Sequence, residues 1–229
     1  MWTARIFTLY PEFFPGPLGS GLYKKSLEKK LWSLEIINIR NYATDKHKTV
    51  DDTPFGGGSG MLMRPDIIAN SLDKNIFNKD EKIIYLTPKG KKLDQTYAKE
   101  LLGKNINIIC GHFEGVDERL LETRNIEEVS IGDFILSGGE IGAFVLVDTI
   151  VRLIPGVVGN YKSLAEETFE KNLLEYPQYT KPQKWEKKNV PGVLLTGDHA
   201  KIKDWRLAQS EDITRRRRTD LWEKYKKNK

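Results

Sequence analysis

Short apolar segments alternate with amphipathic ones through the first two-thirds of the chain, and this alternation restricts the fold more than any other feature. The apolar segments are Ala4–Leu9, Leu34–Arg40, Lys82–Thr87, Asn105–Cys110 and a shorter piece at Phe134–Leu136. They are brief and rich in Ile and aromatics, as strands buried on both faces of a parallel sheet are. Helical patterns fall between them, at Leu22–Trp32, Pro65–Leu72, Asp94–Leu102 and Asp117–Glu122. Strands alternating with helices predict an α/β fold with a parallel sheet. The stretch from Glu140 to Ile154 is apolar almost all round. A helix of that kind must be covered, either by the core or by a second subunit. It stops at the breaker pair Pro155-Gly156.

The remainder differs in character. From Val157 to Gly197 the chain is rich in Pro, Lys and Glu and reads as a long connector. A helix is expected to start at Asp198 or His199 and run through Trp205, with a second, basic helix reaching the C-terminus. The expected division is a catalytic domain over 1–159, a linker over 160–197 and a small helical domain over 198–229. Residues 1–155 hold 20 Lys and Arg against 21 Asp and Glu, whereas residues 156–229 hold 17 against 11. All the positive excess therefore lies in the last third. That suits a polyanion-binding appendage on a near-neutral core, or a solvated basic surface.

Several function classes are set aside at this stage. The longest strongly apolar stretch, Ile141 to Ile154, contains Asp148 and Arg152 and is too short to span a bilayer. No basic head followed by an apolar run and a small-residue cleavage site marks export. The lone cysteine, Cys110, excludes an internal disulfide, and with three scattered histidines it makes no metal cluster. A cytoplasmic protein that neither binds a membrane nor carries a metal cluster is the expectation.

Glycine loops carry the first functional signal. Gly56-Gly57-Gly58-Ser59-Gly60 lacks the Gly-Lys-Ser/Thr of a Walker loop, and Met61 and Met63 stand where a dinucleotide fingerprint could place its last glycine. The adjacent Asp51-Asp52 would repel a phosphate. Three further loops follow later strands: Thr87-Pro88-Lys89-Gly90, then Cys110 to Gly115, then Ser130 to Asp133 with Leu136 to Glu140. Ligands of open α/β sheets bind beyond the carboxyl ends of the strands, so three such loops favour one small-molecule pocket. Asp148 and Arg152, four apart on an apolar helix, are either a helix-stabilising pair or a placed cation. Glu166-Glu167 in the linker is either solvated surface or a working carboxylate, and Arg215 to Arg218 is either solubilising or a phosphate contact.

Taken in order, these blocks resemble the bacterial tRNA (guanine-N1-)-methyltransferase family of the knotted SPOUT superfamily, over nearly the whole chain. The resemblance is carried by Asp51-Asp52 with Phe55-Gly56-Gly57-Gly58 and Gly60-Met61-Leu62-Met63, then Tyr85-Leu86-Thr87-Pro88, Cys110-Gly111 and Glu114 to Arg119. Ser130 to Asp133, Leu136 to Glu140, Ile154 to Val157, Tyr179 to Pro182 and Val193 to Leu195 complete it. It implies an α/β domain with a trefoil knot, an exception to unknotted topology, and a small helical C-terminal domain. It further implies a homodimer with active sites at the subunit boundary, and methyl transfer to N1 of the guanosine immediately 3′ of the anticodon in tRNA. S-adenosylmethionine is the implied donor and Mg2+ a family requirement.

The resemblance also distributes roles. Tyr85, Leu86, Pro88 and Gly90 would hold the cofactor with Gly111, Phe113, Glu114 and Gly115. Ile131, Gly132, Asp133, Phe134, Ile135, Leu136, Gly138 and Gly139 would complete its site. Asp51, Gly57 and Gly58, with Arg206 and Arg215 of the basic tail, fall to the tRNA. Guanine N1 is a poor nucleophile until its proton leaves, so a carboxylate base and a cation near O6 fit the reaction. Arg152 matches the family's assisting arginine. The base position aligns with Glu167, where the family commonly has Asp, and Phe113 stands where it often has Tyr. Two rivals remain: a related knotted enzyme acting on a ribose hydroxyl or another base, and a catalytically silent RNA-binding scaffold.

Overall fold

A computed structural model of the whole chain describes residues 1–76, 78, 80–159, 168–169 and 172–228. It divides into two units, Met1–Gly159 and Asn160–Lys229. The first is built on a five-stranded sheet of β1 (Trp2–Thr8), β2 (Trp32–Asn38), β5 (Lys82–Lys92), β6 (Ile106–Ile109) and β7 (Glu127–Ser130), in the order β2-β1-β6-β5-β7. Every pairing in it is parallel. A separate two-stranded ladder joins β3 (Asp51–Asp52) to β4 (Leu62–Met63).

The sheet is apolar on both faces because helices cover both. In register, Ile6, Ile108 and Ile84 align on neighbouring strands, and Phe7, Ile109 and Tyr85 align one residue on. Alternate residues point to opposite faces, so the first row packs with one cluster and the second with another. The first cluster takes in α1 (Gly21–Glu28), α3 (Gln95–Glu100) and α5 (Glu140–Val151). The second takes in α2 (Pro65–Asn75) and α4 (Glu118–Thr123). Pro65 opens α2 at a position whose N–H needs no helical partner. Asp94 and Asp117 cap α3 and α4 by accepting from Tyr97 N and Arg119 N. Both were expected inside their helices and stand one residue before them.

Two expectations change. The helix read over Leu22–Trp32 ends at Glu28, since Lys30 adopts a left-handed φ of 55° and Trp32 turns inward as the first residue of β2. There its buried indole donates to Ser26 Oγ at 2.8 Å. Phe134–Leu136 is not a strand, and the fifth strand is the preceding polar segment Glu127–Ser130. Of the two covers expected for α5, the core of this chain supplies one on one side of the helix. Gly142, Ala143, Leu146, Val147 and Ile150 are buried, while Ile141 and Val145 are 50% and 43% exposed.

In the second unit, the segment read as a connector carries a hairpin of β8 (Lys184–Trp185) and β9 (Lys188–Asn189). Helix α6 (His199–Arg217) is far longer than its expected first turns, and α7 (Thr219–Lys227) follows it. Asp198 caps α6 by accepting from Ala200 N and Lys201 N, both at 3.1 Å. Tyr225 donates to Glu211 at 2.6 Å, joining the two helices.

Candidate active site

The carboxyl ends of β5, β6 and β7 lie side by side, and the loops leaving them enclose a cavity of about 390 Å³. Its walls are Tyr85–Lys89, Gly111–Gly115, Val129–Gly132 with Phe134–Gly139, and Gly142 from α5. That is the position at which open α/β sheets bind ligands, and the size is that of a small-molecule site.

Each loop has a local cause. In β5, Leu86 and Lys91 both pair with Val129, so Thr87–Gly90 leaves the ladder as a bulge and projects into the cavity wall. Gly90 anchors the bulge, because a Cβ there would stand 2.3 Å from Glu128 C and Val129 N of β7. The second loop is tied to β4. Met63 N donates to Gly115 O at 2.9 Å, and Glu114 N donates to Met61 O at 3.0 Å. The third is tied to the second by Gly139 N donating to Gly111 O at 3.0 Å. A Cβ on Gly139 would stand 2.6 Å from Cys110 Cα, so the two segments touch main chain to main chain. Phe113 takes a left-handed φ of 58° at the tip of the second loop, unusual for a bulky residue.

Beneath the loops lies a buried polar link that the sequence did not point to. Glu140, at the start of α5, is 2% exposed. Its carboxylate accepts from Thr8 Oγ1 at 2.5 Å and lies 2.9 Å from His112 Nε2 at both oxygens. The ring of Tyr10 stands 4.8 Å from that of His112. A buried carboxylate with partners at both oxygens is tolerated, and here it fastens the end of β1, the second loop and α5 together. His112 lines the cavity, and its place inside Gly111–Gly115 was the available signal. Cys110 directly below is fully buried. Burial, and then the charge of Glu140, hold its thiol well above its ordinary range. It therefore stays a protonated, unreactive thiol. Burial likewise pushes the Tyr85 phenol up, so it faces the cavity neutral.

Fourteen of the sixteen residues assigned to the cofactor line this cavity. Gly90 instead packs on β7, and Asp133 is exposed between two lining residues. Thr87, Lys89, His112, Val129, Ser130, Ser137 and Gly142 line it without having been assigned to the cofactor. Asp51 lies on β3, paired with Met63. Gly57 and Gly58 follow Phe55, which is 97% exposed, and line neither this cavity nor the neighbouring one. The loop's last glycine, Gly60, abuts Glu114, whose Oε1 would stand 2.5 Å from a Cβ there.

The neighbouring cavity, about 550 Å³, lies between Asp52–Phe55, Leu62–Asp66, Asp117 and Arg119. Its arginines are engaged: Arg64 bonds both carboxylate oxygens of Asp66, and Arg119 both of Asp117.

Arg152 caps the C-terminal end of α5 and does not line the cavity. Asp148 accepts from the Tyr23 hydroxyl. Burial raises its pKa, and the nearby charge of Arg152 lowers it in part. Glu167 and Glu166 lie outside the described residues. In the second unit, the Arg206 guanidinium stands 4.7 Å from the Tyr176 ring, and its buried Nε has no hydrogen-bond partner among the described residues. Arg215 is exposed at the last turn of α6. It pairs with Asp212 at 3.2 Å, and Arg216 pairs with the same carboxylate at 2.5 Å. Cations there complement the helix dipole. Among the described residues no group of three or more His, Cys, Asp or Glu is placed to hold a metal ion. Nor is any helix long and apolar enough to cross a membrane.

A parallel α/β sheet with three interlocked loops closing one cavity at its carboxyl edge defines a small-ligand-binding α/β protein of the kind the loop motifs resemble. Comparison with known proteins names the family. The family model described as tRNA (Guanine-1)-methyltransferase TrmD matches residues 1–224. A tRNA (guanine-N(1)-)-methyltransferase of Pelagibacter ubique is 69% identical over 229 residues, all of both chains. Proteins of the same description from Zymomonas mobilis and Rhodospirillum rubrum are 54% and 52% identical. They are matched over 98% and 97% of this chain, and over 91% and 93% of their own. The chain belongs to the tRNA (guanine-1)-methyltransferase family.

Proposed function

We propose that the protein methylates N1 of guanosine in tRNA, at the nucleoside immediately 3′ of the anticodon, with S-adenosylmethionine bound in the cavity of about 390 Å³. The observation that carries this reading is the convergence of the three glycine loops on that cavity, in a chain that belongs to this family throughout its length. The walls suit the cofactor. Tyr85, Leu86, Ile131 and Phe134–Leu136 offer apolar surface to an adenine, and Gly111, Gly138 and Gly139 let it lie close against the main chain. S-adenosylmethionine, when bound, supplies an electrophilic methyl group.

The chain's own residues do the rest. Glu167 takes the N1 proton, which turns a poor nucleophile into a good one. Arg152 balances the negative charge that then gathers on O6. The basic second unit, with Arg206 and Arg215, binds the RNA backbone, and Asp51, Gly57 and Gly58 meet the target nucleotide. The exposed Ile141 and Val145 of α5 support a homodimer that covers them. The trefoil knot and the cytoplasmic location belong to the same reading.

The test is nucleoside analysis of tRNA treated with protein and S-adenosylmethionine. One-methylguanosine is expected, and a methylated ribose or an unchanged nucleoside profile would replace this reading with one of its rivals. Glu167→Gln should slow single-turnover methyl transfer by about a hundredfold or more, with binding of tRNA and cofactor little changed. Glu166→Gln should be nearly silent. A fast Glu167→Gln beside a slow Glu166→Gln would move the base by one residue.

A further inference from the structure

We infer that the β8–β9 hairpin is an RNA contact: an unpaired nucleobase stacks on the indole of Trp185, and the adjacent phosphate meets the ammonium of Lys188. The inference rests on the reading of the chain as a tRNA-modifying enzyme, and it adds a contact that this reading does not require.

Lys184 pairs with Asn189 and Trp185 with Lys188. Between them Glu186 takes a left-handed φ of 54°, the conformation that lets so short a connection reverse the chain. Cross-strand partners project to the same face, so indole and ammonium stand side by side, with Lys184 and Asn189 on the opposite face. A tryptophan normally buries most of its surface, yet Trp185 is 64% exposed. The other four tryptophans each have an aromatic partner. Trp2 pairs with Trp32, Trp205 with Tyr179, and Trp222 with Tyr225. Trp185 has none among the described residues.

The surroundings select the occupant. Every residue from Lys181 to Asn189 is exposed, and that stretch holds Lys181, Lys184, Lys187 and Lys188 against Glu186 alone. An apolar protein surface closing over the indole would strip water from several ammonium groups without replacing it. Single-stranded RNA answers both features, since each nucleotide brings a flat π-face and a phosphate. Stacking is tolerant of base identity, so the hairpin contributes affinity rather than sequence choice.

The experiment uses the full chain and unmodified tRNA, measuring dissociation constants over a series of salt concentrations for the wild type, Trp185→Ala, Trp185→Phe and Lys188→Ala. Trp185→Ala should weaken tRNA binding about tenfold, the loss expected for one stacked base. Trp185→Phe should keep most of the affinity, because it keeps an aromatic face. Lys188→Ala should weaken binding and reduce the salt slope by about one. Affinity for S-adenosylmethionine and the methyl-transfer rate at saturating tRNA should not move. Wild-type affinity in Trp185→Ala, with wild-type protein still forming one-methylguanosine, overturns the inference alone. A shift in sedimentation of Trp185→Ala without a change in tRNA affinity also overturns it and gives the surface to a second copy of the chain. Wild-type protein that neither binds nor methylates tRNA overturns the functional reading, and the hairpin's role with it.

Discussion

Gly111 is where the end of β6 passes the ring of Tyr85. A Cβ placed there would lie 2.6 Å from Tyr85 Cε2 and 2.9 Å from its hydroxyl. A side chain at 111 therefore acts first on the cavity wall and only through it on a ligand. Gly111→Ala should push the phenol into the cavity and weaken S-adenosylmethionine binding by about 1–3 kcal/mol, an overpacking effect. Calorimetry giving wild-type affinity for a folded variant would separate Tyr85 from the site. A second residue acts far from the cavity. Glu81 lies 2.9 Å from Arg5 Nη1 and accepts from Asn107 and Asn105. Burial opposes its ionisation most strongly, yet these bonds together hold its pKa below the ordinary glutamate value. A depressed carboxylate stabilises the fold above its unfolded pKa of about 4.3, and that contribution is lost as pH falls through the lower folded value. Urea unfolding across about pH 3 to 6 should therefore show stability declining on the acid side, less steeply in Glu81→Gln. Parallel curves would remove Glu81 as the cause.

At the scale of elements, the bulge of β5 is the part most sensitive to a single atom. Both atoms nearest a Cβ on Gly90 belong to the main chain of β7, and neither can rotate away. Gly90→Ala should part β5 from β7, lower stability by about 1–3 kcal/mol and weaken cofactor binding together. Thermal unfolding and calorimetry on one preparation test this, and intact values for both would mean that the bulge is not held by β7. The strands β1, β2, β5 and β6 were legible because each carries a run of apolar residues, Trp32, Leu34, Ile36 and Ile37 in β2. Strand β7, an edge like β2, was hidden because it is short and mostly polar. Val129 is its only fully buried apolar residue, and Glu127 reaches Lys82 at 3.0 Å instead of a core. Phe134–Leu136 misled for the opposite reason. Ile135 is 82% exposed at the cavity mouth, where surface meant for a ligand has the composition of a core. The glycine loops announced the cavity, since close approach of main chain demands glycine wherever it occurs. The Thr8–Glu140–His112 link gave no signal. Its members lie 132 and 28 residues apart, and only folding brings them together.

For the whole molecule, the two units divide the net charge unequally. The unit from 160 to 229 carries the entire positive excess, 17 basic against 11 acidic residues, and the first unit keeps the apolar stripe of α5 exposed. If that stripe is the dimer face, Ile141→Glu combined with Val145→Glu should yield monomers in sedimentation. The isolated fold should persist, because both side chains already face solvent in the protomer. A variant that still sedimented as a dimer would place the interface elsewhere.

The cavity's dependence on main chain has a consequence for molecules designed to compete there. At Gly111 and Gly139 the wall is polypeptide backbone backed by the Tyr85 ring or by Cys110, and a larger residue at either point collides with what lies behind it. An inhibitor packed closely against that backbone would meet a wall that no side-chain substitution reshapes without disturbing the fold behind it. Escape would then have to come from the few positions with free side chains, Phe113, Phe134 and Ile135 foremost, or from altered expression of the protein.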